Sequence, residues 1–200
     1  MIQDRNRPLV LASASPRRRE LLKTLGLPFE VRAADIDEAA EPAELPRAYV
    51  QRMAREKAEA LRPVLPDEAV VLAADTTVVA RGRILGKPED RADCLTMLSL
   101  LSDAEHHVYT AVALALDGQL LERLSVTTVW FRALTRAEME AYWASGEPAD
   151  KAGGYAIQGL GGAFVRQIQG SYSGVVGLPI YETAELLTIG GYPLILGHHD

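Results

Sequence analysis

The segment Ser13–Arg19 carries more chemistry than any other stretch of the sequence. It reads Ser-Ala-Ser-Pro-Arg-Arg-Arg, with Ser15 suited to cap a helix and Pro16 suited to its first position. Three arginines then fall in the first turn, where the helix dipole favours acidic side chains instead. Free backbone N–H groups and guanidinium groups together make a site for an anion such as phosphate. A solvated basic turn is the alternative interpretation, and the missing glycines exclude a Walker loop.

Lys57 lies on the apolar face of a predicted helix. The helix is predicted over Pro46–Leu61. At ~100° per residue, Lys57 falls within the stripe formed by Val50, Met53 and Ala54. A lysine in that position either extends its ammonium past the core to solvent or points into a site. The pattern leaves both interpretations open, and a polyanionic ligand would favour the second.

Asp75 follows the continuous apolar run Ala69–Ala74, which is typical of a strand covered on both faces. Active sites built on sheets lie at the carboxyl ends of strands. A carboxylate there can bind Mg²⁺ or accept a proton from water, although a turn-forming aspartate fits the same pattern. Lys87 and the pair Asp37-Glu38 are ordinary surface residues when each is taken alone.

The composition bounds the class of protein. The chain has 200 residues, of which 48% are apolar, and a formal net charge of −6. A nucleic-acid polymer requires a basic surface, so this balance argues against such a partner, whereas a small anionic ligand needs only a local cluster of cations. The single cysteine, Cys94, excludes an internal disulfide and lies in an apolar helical run, which indicates a core residue more than a reactive thiol. Met1–Pro8 is polar and unlike a secretory signal, and no apolar run approaches the ~20 residues of a membrane span, which predicts a cytoplasmic protein.

The elements that must position these residues alternate along the chain, with a long hairpin in the middle. Strands are predicted at Leu9–Ala12, Phe29–Ala33, Ala69–Ala74, Thr77–Ala80, Ile84–Leu85, His107–Leu116, Leu120–Phe131 and Ala163–Ile168. Helices are predicted at Pro16–Leu25, Pro46–Leu61, Arg91–Leu101, Thr135–Ala144 and Pro179–Leu187, and a glycine-rich loop covers 153–162. This order predicts an α/β fold with a mixed sheet. The histidines, two adjoining at 106 and 107 and two at 198 and 199, show no metal-binding spacing.

Taken together, several segments of the chain resemble the Maf family of nucleotide pyrophosphatases. The matching segments are Leu11–Arg18, Ala54–Ala58, Ala74–Thr76, Gly86–Pro88, Asp150–Gly162 and Ser171–Pro179. They follow in order from about residue 9 to residue 187, and such an ordered set is far more specific than any one segment. The first segment has Ser-Ala-Ser where a glycine is also common, which is a mild departure.

The resemblance implies a fold, a reaction and a set of partners. The expected fold is an elongated α/β domain over residues 1–200, with a mixed sheet flanked by helices, an active cleft between two lobes and a relation to the inosine triphosphatase-like fold. The expected reaction cleaves a nucleoside triphosphate to the monophosphate and pyrophosphate with a divalent metal, Mg²⁺ or Mn²⁺. The expected partner is therefore a small-molecule nucleoside triphosphate, with no nucleic-acid polymer and no membrane, and the oligomeric state is left open, a homodimer included.

The resemblance also implies a role for individual residues. Asp75 looks like the proton acceptor, and Glu38 looks like a further acidic site residue that would lie with Asp75 near the metal. The residues that look like a phosphate site are Ser13, Arg18, Lys57 and Lys87.

Three positions distinguish the branches of the family. Arg17, Thr76 and Gln158 stand where the branch that cleaves 7-methyl-GTP tends to have tryptophan, glutamine and glutamate. All three place this chain with the dTTP/UTP branch. A 7-methyl-GTP or broad-specificity pyrophosphatase, a nucleotide-binding regulator of septum formation with little catalysis, and a plain phosphate-binding module are the alternatives.

Overall fold

Apolar runs give this chain seven strands that hydrogen-bond into one sheet. The computed structural model describes residues 7–192 and 194, so residues 1–6 of the predicted polar segment and the histidines at 198 and 199 lie outside the described residues. The strands are β1 Leu9–Ala12, β2 Glu30–Arg32, β3 Val70–Ala80, β4 Arg83–Leu85, β5 Glu105–Leu116, β6 Gln119–Phe131 and β7 Val165–Gln169. The helices are α1 Pro16–Lys23, α2 Pro46–Leu61, α3 Arg91–Leu101, α4 Arg136–Ala144, α5 Tyr172–Val176 and α6 Ile180–Ile189, and short 3₁₀ turns cover Arg62–Val64, Glu147–Asp150, Ala152–Gly154 and Leu160–Phe164.

The sheet combines a parallel part with an antiparallel part. Its order is β2-β1-β3-β5-β6-β7, and β4 pairs with the end of β3. Strands β2, β1 and β3 run parallel because helical crossovers join them, whereas β5 and β6 form a hairpin through a two-residue turn. In that turn Asp117 and Gly118 have φ values of 48° and 73°, which match the twist of the flanking strands. The predicted α/β fold with a mixed sheet flanked by helices is confirmed.

Helices cover both faces of the parallel part, because successive residues of β3 point to opposite sides. On one face, Val71 and Ala73 pack in a cluster with Val50 and Ala54 of α2. The opposite face is covered by α1 and α6, and its cluster contains Val70, Leu72, Leu22, Leu186 and Leu187. The continuous apolar run that predicted a doubly covered strand is explained by these two clusters.

A third cluster lies at the other end of β3 and includes residues of α3 and α4. Val78 packs there with Leu98, Phe131 and Met139. Cys94 is fully buried in the same cluster, and burial raises the pKa of its thiol to about 11. The prediction that Cys94 is a core residue is therefore confirmed.

The predicted break in β3 after residue 74 is wrong. The strand runs without interruption over Val70–Ala80, and Asp75 is its sixth residue. Pairing with β5 continues from Val71 to Val79, which keeps the strand straight through the aspartate. The neighbour on the other side, β1, has its last pair at Leu11 and Leu72. Asp75 thus lies beyond the carboxyl end of β1 and not at the end of its own strand.

Smaller differences occur near the C-terminal end of the chain. The strand predicted to begin at Ala163 begins at Val165, because residues 160–164 form a 3₁₀ turn. The short helix α5 was not predicted, and Ser171 caps it by accepting a hydrogen bond from Gly174 N. Within the described part of the chain, no helix combines the length and apolar composition that a membrane crossing needs. The predicted division of the domain into two lobes stays a prediction.

Candidate active site

A cleft of about 500 Å³ opens beside β3 where β1 ends and β3 continues, still paired with β5 on its other side. Its lining includes every residue that the sequence singled out for the site: Ser13, Arg17, Arg18, Glu38, Lys57, Asp75, Thr76, Lys87 and Gln158. These nine residues come from segments distributed between positions 13 and 158. The structure therefore brings all of them to one cavity, although it assigns no role to any of them.

The turn after β1 and the first turn of α1 hold a buried guanidinium. Ser15 caps α1 as predicted, accepting a hydrogen bond from Arg18 N. Arg18 donates through Nε to Gly177 O at 2.8 Å, through Nη1 to Ser13 Oγ at 3.4 Å and through Nη2 to Thr76 Oγ1 at 3.2 Å. Burial lowers the pKa of Arg18 from its ordinary value, while the Asp75 carboxylate opposes that change, and an arginine remains charged. One fixed positive charge is thus built into this wall of the cleft.

Lys57 points into the cleft and bridges two carboxylates. Its Nζ lies 2.7 Å from Asp75 Oδ1 and 2.6 Å from Glu38 Oε1. Lys57 and Asp75 are each 8% exposed, so this contact is shielded from water. Of the two interpretations that the sequence left open, the ammonium directed into a site is the one that the geometry supports.

The electrostatics of Glu38 follow from the same contact. Partial burial opposes ionisation of Glu38, but the ammonium of Lys57, with Lys87 and Arg18 beyond it, lowers the pKa of its carboxyl below the ordinary value. Glu38 lies in the irregular segment between β2 and α2, and the hydroxyl of Tyr49 donates to its carbonyl oxygen at 3.0 Å. An anionic group is therefore held at the mouth of the cleft next to a group of cations.

Tyr49 is a cleft residue that the sequence reasoning missed. It lines the cavity, and burial, together with the carboxylates of Asp75 and Glu38, raises the pKa of its hydroxyl to about 12. The signal was present, because Tyr49 lies two helical turns before Lys57 on the same face of α2. A tyrosine in register with a lysine directed into a site is a candidate for holding the segment opposite.

Thr76 and Asp75 lie on opposite faces of β3, as neighbours in a strand must. Whereas Asp75 contacts α2 through Lys57, Thr76 Oγ1 accepts from Arg18 and lies 3.0 Å from Thr110 Oγ1. The hydroxyl of Thr110 donates to Gly174 O at 2.7 Å. Thr76 is therefore a partner of the buried guanidinium, a contact that its sequence position alone did not indicate.

The remaining predicted residues form the outer wall. Lys87 is exposed on the segment between β4 and α3, and Gln158 is exposed on the glycine-rich loop. Arg17 Nη1 lies 3.7 Å from Asp150 Oδ2, and Asp150 also pairs with Lys151. Asp150 and Lys151 both line the cleft and received no role from the sequence. Their signal was their place as the charged pair that opens the segment Asp150–Gly162, one of the segments that carry the family resemblance.

The carboxylates of the cleft suit a divalent cation that is shared with a substrate. Among residues 7–192 and 194, no three His, Cys, Asp or Glu side chains form a metal-binding group. Glu38 and Asp75 each give one oxygen to Lys57, which leaves the second oxygen of each carboxylate for another partner. Mg²⁺ commonly takes one or two carboxylates and completes its octahedron with waters and substrate phosphates. The donor set fits that arrangement and does not fit an all-protein cage.

Fold and cleft together define an α/β protein with a polar cleft in which several cationic side chains surround a buried carboxylate–lysine pair. Residues 8–189 match the family described as Maf-like protein. The chain belongs to the Maf family.

Proteins named dTTP/UTP pyrophosphatase are close relatives in sequence. The one from Colwellia psychrerythraea is 52% identical over 188 residues, covering 92% of this chain and 89% of that protein. The one from Chromobacterium violaceum is 52% identical over 190 residues, covering 93% and 96%, and the one from Yersinia pestis is 53% identical over 180 residues, covering 90% and 91%. Among solved structures, the Staphylococcus aureus Ham1 protein is 15% identical with a TM-score of 0.45, covering 62% of this chain and 71% of that one, a similarity too low to support an argument.

Proposed function

We propose that this chain is a nucleoside triphosphate pyrophosphatase that hydrolyses dTTP and UTP to the monophosphate and pyrophosphate. The observation that carries the proposal is the buried contact between Lys57 and Asp75, which faces a cleft lined by four more cations. The names of relatives that share about half of their residues with this chain support the same activity. The three positions that separate the family's branches, Arg17, Thr76 and Gln158, all line this cleft and support the pyrimidine substrates.

Charge neutralisation is the main task of the cationic side chains. A triphosphate brings several negative charges, and pyrophosphate leaves readily once those charges are offset. Arg18 is fixed by three hydrogen bonds, so it would contribute without reorganising. Lys57 and Lys87 add two further positive charges, and Ser13 Oγ lies beside Arg18 at the base of the cleft. These four residues form the phosphate site in our proposal.

Asp75 is proposed to act as the base. Its Oδ1 accepts a hydrogen bond from Lys57, while its Oδ2 makes no hydrogen bond with any residue of the described chain. That free oxygen can hold a water and take its proton as the water attacks the phosphorus between the nucleoside and the pyrophosphate leaving group. Lys57 holds the carboxylate through Oδ1 at 2.7 Å, and Asp75 lines the cavity, so Oδ2 is the oxygen that we propose for the water.

A divalent metal completes the proposed site. The second oxygens of Glu38 and Asp75 are the donors that would hold Mg²⁺ or Mn²⁺, whose chemistry is to offset phosphate charge during the reaction. A carboxylate oxygen has two lone-pair directions, so Asp75 Oδ2 could contact the cation through one and the water through the other. The protein supplies the orientation of these donors through the bridging ammonium of Lys57 and the hydrogen bond from Tyr49 to the Glu38 backbone.

Gln158 is proposed to contact the base. Uracil and thymine present an acceptor, a donor and an acceptor along their pairing edge, and an amide side chain offers both a donor and an acceptor. Gln158 is exposed at the cleft wall and makes no hydrogen bond with a residue that the structure describes, so its amide is available to a ligand. A carboxylate at this position would suit a base edge rich in donors instead.

A panel of nucleoside triphosphates tests the proposal directly. Pyrophosphate release is measured with UTP, dTTP, CTP, ATP, GTP and 7-methyl-GTP, each with and without Mg²⁺ or Mn²⁺. We expect turnover of UTP and dTTP that depends on the metal. Preferential cleavage of 7-methyl-GTP would assign the chain to the other branch, and the absence of turnover on every triphosphate would favour a nucleotide-binding regulator.

A further inference from the structure

Gln158 lies in the loop 155–162, and its own side chain does not hold it in position. It is exposed and has no hydrogen-bonding partner within the described residues. The backbone N–H groups two residues before and two residues after it, at Ala156 and Leu160, donate to side chains from outside the loop. The position of Gln158 is therefore set by the groups that accept these two hydrogen bonds.

The acceptors of these two hydrogen bonds are the carboxylate of Glu147 and the phenol of Tyr142. Glu147 Oε2 accepts from Leu160 N at 2.9 Å, and Glu147 Oε1 accepts from Gly161 N at 3.0 Å. The hydroxyl of Tyr142 donates to Glu147 Oε1 at 2.7 Å and accepts from Ala156 N at 3.0 Å. We call Glu147 and Tyr142 the loop clamp, because this hydrogen-bonded pair holds both flanks of Gln158.

Both members of the loop clamp lie outside the loop, on α4 and in the turn that follows it. Tyr142 lies on α4, is 4% exposed and packs edge-on against Phe164 at 4.9 Å. Glu147 follows two residues after the helix cap at Ser145, in a 3₁₀ turn. Burial opposes ionisation of Glu147, but the hydrogen bonds from Gly161, Tyr142 and Leu160 lower the pKa of its carboxyl below the ordinary value. The carboxylate is thus charged at neutral pH and bound to three donors.

Two glycines of the loop fit closely against the clamp. A Cβ at Gly159 would collide with the carboxylate of Glu147, and a Cβ at Gly161 would lie 2.6 Å from Tyr142 Oη. Real Cβ atoms do not approach so closely, so a side chain at Gly159 would displace the Glu147 carboxylate, and one at Gly161 would crowd Tyr142 Oη and also the backbone oxygen of Ala156 at 2.9 Å. The close approach of the clamp therefore explains two of the glycines in this loop.

We infer that Glu147 and Tyr142 are positioning residues that hold Gln158 ready for the pyrimidine base and thereby set the affinity for UTP and dTTP. This inference rests on the proposed function. The clamp residues are separate from the proposed catalytic and phosphate-binding residues, because neither Glu147 nor Tyr142 lines the cleft. It acts by preorganising the loop, which reduces the ordering cost that binding would otherwise carry.

The loop has a separate anchor that keeps it folded when the clamp is weakened. Tyr155 Oη lies 2.8 Å from His106 Nε2, and its ring packs edge-on against Phe131 at 4.8 Å. Tyr155 is 5% exposed and precedes the clamped segment by one residue. A variant of Glu147 is therefore expected to loosen the position of Gln158 without releasing the loop from the core.

The test is a double-mutant cycle in the full chain. Glu147→Gln keeps the shape but replaces one acceptor oxygen with a donor, which then faces a backbone N–H. We expect KM for UTP to rise about 5- to 10-fold, in line with the loss of one or two hydrogen bonds, while kcat changes less than about twofold. In a Gln158→Ala background the same substitution is expected to change KM by less than about twofold, because the residue that it positions is gone.

Two further variants make the result decisive. Tyr142→Phe removes the other half of the clamp and is expected to reproduce the rise in KM. Glu140→Gln is the matched control on α4, since Glu140 pairs with Arg91 and Arg136 at the surface, each at 3.0 Å, and is expected to change nothing.

Several results would overturn the inference. Unchanged KM in both clamp variants would do so, as would an equal effect of Glu147→Gln with and without Gln158, or circular dichroism showing that both clamp variants fail to fold. In each of these cases, the proposed function would still stand if the wild-type protein turns over UTP. Absence of wild-type turnover on every triphosphate would remove the proposed function and this inference with it.

Discussion

Removing the ammonium of Lys57 tests whether the Lys57–Asp75 contact is a real buried ion pair. In the Lys57→Met variant the side chain keeps most of its length on α2 but loses its charge. Asp75, 8% exposed, would then keep a negative charge with no cation at 2.7 Å, and Glu38 would lose its partner at 2.6 Å. The variant should therefore unfold more readily, independently of any enzymatic activity.

The magnitude follows from burial. Removing one member of a buried ion pair costs about 3–5 kcal/mol, because the remaining charge is left uncompensated. The side chain of Glu38 is 53% exposed and can regain water, so the lower end, about 3 kcal/mol, is expected for Lys57→Met. Asp75→Asn should cost only about 1 kcal/mol, since an amide oxygen still accepts from Lys57 and Glu38 still neutralises it.

The double variant gives the sharpest result. With both substitutions neither residue 57 nor residue 75 carries a charge, and replacing a buried pair by neutral groups is commonly close to neutral. We expect Lys57→Met with Asp75→Asn to be more stable than Lys57→Met alone, by about 1 to 2 kcal/mol. Removing the charge of Asp75 would thus lower stability in the wild-type chain but raise it in the Lys57→Met variant, which independent contributions cannot produce.

Urea unfolding at neutral pH, followed by circular dichroism, measures these differences. Arg55→Met is the matched control, because Arg55 is a cation on the same helix with a 45% exposed side chain and a distant contact to Glu122 at 3.8 Å. Its cost should stay below about 0.5 kcal/mol. Strictly additive losses in the double variant, or a Lys57→Met cost no larger than that of the control, would refute the buried ion pair.

Three further predictions concern chemistry in the cleft and the core. Asp75→Asn should lower kcat for UTP at least about 100-fold with little change in KM, measured by pyrophosphate release, and near-normal turnover would remove Asp75 from the role of base. Gln158→Glu should weaken the use of UTP and dTTP, because it places a negative charge near acceptor carbonyls, and unchanged kcat/KM on both would contradict the assignment. Burial and the neighbouring Asp93 raise the pKa of Cys94 to about 11, so the reactive thiolate forms only as pH approaches that value. Iodoacetamide at pH 8 should then label the folded protein far more slowly than the urea-unfolded protein, and equal rates by mass spectrometry would show that the thiol is accessible.

The elements that sequence predicted best are those whose boundaries are marked by local chemistry. Helix α2 begins at Pro46, helix α4 follows a capping box of Thr135 and Glu138, and the β5–β6 hairpin turns at Asp117-Gly118. Each signal depends on one residue type or on residues a few positions apart, so it can be recognised without knowing the fold.

What could not be predicted depends on partners far along the chain. The polar residues Asp75 and Thr76 suggested a break between two strands, yet pairing with Ala111 and Thr110 of β5 continues β3 through both of them. The site residues themselves were identified from the order of motifs, but their contacts were not. Nothing local to Glu147 indicates that it binds N–H groups at Leu160 and Gly161, because that contact exists only after α4 packs beside the loop.

The early end of β1 explains how one strand can serve both walls of the cleft. Alternation along β3 directs the side chain of Asp75 toward α2 and that of Thr76 toward α1. In a sheet with neighbours on both sides, the backbone would lie between these two side chains. Because β1 stops at Ala12, no strand covers the edge of β3 on that side of these two residues. Side chains from both faces of β3 therefore line one cavity. Arg18 donates a hydrogen bond to Thr76 directly. The charge of Asp75 also acts on Arg18, because it opposes the lowering of the Arg18 pKa by burial. If the phosphate site is as we propose, the residue at position 76 would act on it through this guanidinium, even though it lies on the opposite face from the proposed base.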